Sequence, residues 1–141
     1  MRSLFDERGA EAEDLLAWIG AQPPGPELVK AAVLRWVDSF SADKLRGIRF
    51  LIANPLLARS LGERGGERIG NALTAVADAL AAQLPGATAV EVLQLRMALL
   101  SINAAVEAAA REPFDDEVLL ASARDAASVQ VSAVVERHLQ P

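Results

Sequence analysis

Few residues in this chain are equipped for covalent chemistry. It has 141 residues, a single histidine and no cysteine. His138 is preceded three residues earlier by Val135, so the Glu-x-x-His pairs of a di-iron bundle are missing. A metal site built on several histidines or thiolates is excluded as well. A serine nucleophile would need a base, and no Gly-x-Ser-x-Gly turn is present. Asp14, Asp78 and the run Asp115-Asp116-Glu117 read as solvated helix faces. The glycine-rich stretch from Gly62 to Gly70 fails as a phosphate loop. Asn71 and Ala72 follow it, not Lys and Ser or Thr, and no strand precedes it. The expectation is a protein that is not an enzyme and needs no cofactor or metal.

Binding is the better prospect. Arg96, Asn103 and Glu107 stand at i, i+7 and i+11, on one helical face with Leu100 between them. Either this face is the wet side of a helix, or Asn103 and Arg96 line an internal pocket. A buried amide must be hydrogen-bonded, and a ligand can supply the bond. Trp36, Phe40 and Phe50 are candidates for the apolar lining of such a pocket, and equally for core.

Composition says which elements must position these residues. The chain is 52% hydrophobic, 4% aromatic and 23% charged. Alanine makes up about a fifth of it, which favours helix. The length suits one domain spanning 1–141. We read an all-α bundle of about six helices. The first covers about Ala10 to Ala21, and Pro23-Pro24-Gly25-Pro26 ends it. The second starts at Pro26 and buries Val29, Val33, Trp36 and Phe40, at i, i+4, i+7 and i+11. Ser41 caps a third, which stops at Asn54-Pro55. A fourth runs from Pro55 to about Leu84, with a kink or break expected near Gly62, Gly65 and Gly66. Thr88, with Glu91 three residues on, opens a fifth that reaches about Glu112. The sixth covers about Asp115 to Leu139, acidic at its start and with Arg137 and His138 at its end.

The last two helices carry more apolar surface than one face can hide. In the sixth, Leu119, Leu120, Ala123, Ala126, Ala127, Val131 and Val134 form a broad stripe, and Val118, Val129 and Ala133 widen it. The fifth is uncharged between Arg96 and Glu107 and has small residues at Ala104, Ala105, Ala108 and Ala109. Small side chains let helix axes approach closely. We therefore expect a homodimer closed by an intermolecular four-helix bundle, with Ala105, Ala108, Leu119, Ala123, Ala126, Ala127, Val131 and Val134 at the interface. The alternative is that both faces are buried within one subunit.

The formal net charge of −5 makes the chain alone a poor ligand for nucleic acid. Its longest uncharged stretches, such as Leu15 to Pro26 and Ala126 to Val135, fall short of the roughly 18–20 apolar residues of a membrane span. The start, Met1 to Arg8, has no apolar run of a signal peptide. A cytoplasmic location is expected, with no membrane partner.

The pattern as a whole resembles the C-terminal ligand-binding and dimerisation domain of TetR-family transcriptional regulators. The segment Leu45-Arg46-Gly47-Ile48-Arg49-Phe50-Leu51-Ile52-Ala53-Asn54-Pro55-Leu56-Leu57-Ala58-Arg59 is similar to a recurrent stretch of that domain, a short amphipathic helix ending at Pro, Leu and Arg. The amphipathic helix Ile69 to Leu84 and two long alanine-rich helices follow in the same order. Ser3-Leu4-Phe5-Asp6 resembles the stretch after the DNA-binding domain. The family's helix-turn-helix is missing here, so DNA binding would need a domain this chain does not contain. The resemblance implies a ligand cavity enclosed by the second, third, fourth and fifth helices and a dimer bundle from residues 88–112 and 115–139. It implies a small, largely apolar effector. The other reading is a ligand-free module that pairs with other regulator subunits.

Overall fold

The computed structural model describes residues 4–61, 67–109 and 114–139, and these are all-helical. Eight helices occur among them: α1 (Leu4–Gly20), α2 (Pro26–Asp38), α3 (Ala42–Ala53), α4 (Pro55–Leu61), α5 (Glu67–Ala81), α6 (Ala89–Leu99), α7 (Ser101–Ala108) and α8 (Asp116–Leu139). The helix expected from Pro55 to Leu84 is α4 and α5. Gly62, Gly65 and Gly66, where a break was anticipated, lie outside the described residues.

Local chemistry sets the boundaries. Gly25 has φ 145°, a conformation open to glycine, and Pro26 stands at the first turn of α2. The Gly25 N–H donates to Gln83 Oε1 at 3.0 Å, which ties the α1–α2 turn to the end of α5. The Ser41 hydroxyl accepts from the Lys44 N–H and starts α3. Thr88 and Glu91 form the reciprocal capping box expected from their spacing.

α1 packs along α5 and touches α2, while α8 runs along α2, α6 and α7. The core between them holds Val29, Val33, Trp36, Leu45, Val76, Leu80, Leu95, Leu99, Ile102 and Val131. Ion pairs join distant helix ends. Arg49 reaches Asp116 at 2.6 Å, and Arg124 reaches Asp38 at 2.9 Å.

Two expectations need correction. The fifth helix is not continuous: α6 and α7 meet at Leu100 with a bend of 61°. Neither proline nor glycine stands there, so local sequence gave no warning. Ser101 Oγ is buried beside the bend with no hydrogen-bond partner among the described residues. The second correction concerns α8. Leu119, Ala123, Ala127, Val131 and Val134 are at most 4% exposed, within a chain that has no partner beside it. They form the core against α2, α6 and α7 and offer no surface to a second chain. Ala126 and Ala108 are exposed and Ala105 is half-buried. Both arcs of α8 are apolar, and packing decides which one turns inward.

By length and composition alone, α8 is apolar enough to cross a membrane, which uncharged-stretch length did not suggest. It carries Arg124 and Asp125 at its middle.

Leu95→Ala is expected to cost about 2–5 kcal/mol, because the removed atoms leave a cavity in a fully buried site. Leu56→Ala, at an exposed position of α4, should stay within about 0.5 kcal/mol. Urea denaturation of the two variants checks both values.

Candidate functional site

Trp36 lies on the buried face of α2, two residues before the helix ends at Asp38. Its ring is 4% exposed, and its indole N–H donates to the Leu99 carbonyl at 3.0 Å. That carbonyl belongs to the last residue of α6, next to the bend. The bond satisfies a buried donor and fixes the ring plane. Phe40 meets Trp36 edge-on, with centroids 5.9 Å apart and planes at 88°.

A guanidinium fills the corner between these rings. Arg8, on α1, places its central carbon 4.1 Å from the Trp36 ring centroid and 3.9 Å from that of Phe40. Its residue is only 4% exposed. Arg8 pairs with Glu11 one turn along α1 and reaches Ser39 Oγ at 3.5 Å. Burial lowers the Arg8 pKa, while the charge of Glu11 and its hydrogen bond oppose the shift. Lys44 of α3 approaches Glu11 at 2.9 Å and donates to the Ser39 carbonyl at 2.9 Å. Glu11 therefore faces two cations from two helices.

Beside this box is an open cleft of about 320 Å³ between α1, α2 and α3. Glu11, Asp14, Leu15, Arg35, Trp36, Ser39 and Lys44 line it. The Arg35 guanidinium stacks 4.5 Å from the Trp18 ring centroid.

Of the six residues expected around an internal pocket, Trp36 and Phe40 come together. The other four do not join them. Phe50 is 57% exposed and Leu100 44%. Asn103 is exposed, and Arg96 is an exposed side chain 3.9 Å from Asp78. The face shared by Arg96, Leu100 and Asn103 is thus an outer face of the α6–α7 pair. Arg8, Glu11, Ser39 and Lys44 were missed. The i, i+3 spacing of Arg8 and Glu11 was visible, but the aromatic corner requires α1 to meet the far end of α2.

A second polar cluster joins the start of α6 to the end of α8. Glu91 is 7% exposed and receives the Thr88 N–H. His138 Nε2 lies 2.8 Å from Glu91 Oε2, and Arg137 Nε lies 3.4 Å from the same oxygen. The Thr88 N–H holds the Glu91 carboxyl below its usual range. Burial opposes this, and His138 and Arg137 reinforce it. Among the described residues, no group of three or more metal-ligating side chains occurs.

Comparison with family models, curated proteins and solved structures finds no match to this chain.

Glu91 gives a pH dependence with a definite sign. A carboxyl whose pKa is lower folded than unfolded stabilises the fold above the unfolded value. That contribution fades as pH falls through the folded value. Glu91→Gln should therefore lower Tm at pH 7, and the gap to wild type should narrow in steps from about pH 5 downward. A gap that stays constant across that range would contradict the assignment.

Proposed function

We propose that this chain is a self-associating helical module of the kind found as the C-terminal domain of TetR-like regulators. One observation carries the reading. Val90, Leu93 and Met97 on α6 and Leu100 at the bend are between 44% and 62% exposed. Their spacing of three, four and three residues makes one stripe. On α8, Val129 is 65% exposed, and Ala126 and Ala133 are exposed one turn to either side. Two contacts define the seam between the helices: Arg137 Nη2 donates to Gln94 Oε1 at 2.8 Å, and Gln130 Nε2 lies 3.9 Å from Met97 Sδ. The stripes thus lie side by side, as one apolar surface with small residues on the α8 half. Exposed apolar surface of this extent marks an association site.

A second copy is the occupant that suits it. Two-helix faces of this kind pair about a two-fold axis into a four-helix bundle, burying the same patch on both chains. α8 is about 36 Å long at 1.5 Å per residue, long enough for an interface of ordinary size. This surface replaces the inward face of α8 as the dimer contact.

Effector sensing is the companion reading, and the α1–α2–α3 cleft supports it. Four of its seven lining residues carry charge, so it suits a polar small molecule better than a largely apolar one. In a TetR-like regulator the DNA reader would precede α1. An effector beside Arg8 would act on the helix joined to that reader, provided it binds two arrangements of α1 unequally.

Light scattering tests the association. The expected result is two chains per particle for the wild type at micromolar concentration. The double variant Leu93→Glu, Met97→Glu should be monomeric with unchanged helicity, and its Tm should lose the rise with protein concentration that a dimer shows. A monomeric wild type, or a double variant that stays dimeric, would overturn the reading.

A further inference from the structure

Arg8 is an organic cation already bound inside this fold. Two perpendicular aromatic rings form a corner around its guanidinium, and Glu11 supplies the counter-charge. Aromatic faces and a carboxylate are what recognition of an external cation requires. The box does not end at Arg8. Glu11, Trp36 and Ser39 are shared with the open cleft, which adds the Asp14 carboxylate and the apolar Leu15.

We propose that the corner of Trp36, Phe40 and Glu11 is a cation-recognition site held closed by Arg8, and that it takes a planar organic monocation in Arg8's place. The class is an amidinium or guanidinium on a small apolar body, with the head in the aromatic corner and the body in the cleft against Leu15. This rests on reading that cleft as an effector site.

Charge decides against the other classes. The groups around the cleft are Glu11 and Asp14 against Arg8, Arg35 and Lys44. A monocation that replaces Arg8 leaves this balance unchanged and returns the guanidinium of Arg8 to water. An anion would enter next to two carboxylates, while Lys44 is held by Glu11 and Ser39, and Arg35 stacks on Trp18. A neutral molecule would deprive Glu11 of one of its two cations. A bare metal ion lacks the flat face that both rings contact. Displacement has a structural consequence, because Arg8 is the link by which α1 holds Trp36 and Ser39 of α2.

The test uses benzamidinium as probe, with benzamide as its neutral isostere and benzoate as its anionic one. Calorimetry and Trp36 fluorescence, in a Trp18→Phe background, report binding. Arg8→Ala is expected to bind benzamidinium about tenfold more tightly than wild type, since nothing then competes for the corner. Glu11→Gln added to Arg8→Ala should remove that gain. Arg8→Lys guards against misfolding: it keeps a charge but not the planar fork, and should gain about threefold. Equal benzamidinium affinity in wild type, Arg8→Ala and Arg8→Lys would overturn the proposal. Benzamide or benzoate binding as well as benzamidinium would overturn cation recognition but leave the effector reading standing. No binding of any of the three to any variant would remove both.

Discussion

The Trp36 side chain brings three separate parts of this fold to one ring. Its N–H is bound to the Leu99 carbonyl at the α6–α7 bend, one ring face carries Arg8 of α1, and its edge meets Phe40. An indole suits this position because it combines a large apolar body with one donor. The donor must be paired once buried, so the ring orientation is fixed by the backbone of α6. The ring in turn fixes where the guanidinium of α1 can sit. The front of α1 and the bend of the α6–α7 pair are therefore positioned against one side chain.

The two faces of α8 follow from the same economy of helices. Among the described residues, α8 is covered on one side by α2, α6 and α7. Its other side leaves Val129 exposed, and Leu93 and Met97 of α6 are also uncovered. Polar side chains fasten the ends of the helix: Asp116 to Arg49 at its start, and Arg137 and His138 to Glu91 at its finish. These pairs hold α8 in register with α3 and α6. The half-exposed Arg49–Asp116 pair stabilises little by itself and acts mainly on register, whereas Glu91 is buried.

Much of the fold was legible because its signals are local. Val29, Val33 and Trp36 declare a buried stripe by spacing alone, and Ser41, Thr88 and Glu91 name helix starts by their capping chemistry. The site was less legible because its parts are far apart in sequence. Phe40 was legible beside Trp36, but Arg8 is unremarkable in a helical reading, and only the packing of α1 on α2 makes it their neighbour. The bend at Leu100 has no glycine or proline to announce it. The choice of inward face on α8 was open for a different reason. Alanine and valine on both arcs give the hydrophobic pattern no single direction, so tertiary contacts break the tie.

Hydrogen exchange at the Trp36 indole N–H tests most directly whether this side chain is the common anchor. Trp18, whose ring is only half-buried, serves as an internal reference in the same spectrum. If the Trp36 bond to Leu99 holds α2 to the bend, its indole proton exchanges only through global opening, as slowly as the core amides of Val33 and Leu95. Exchange of the Trp36 proton at the rate of the Trp18 proton would contradict the account.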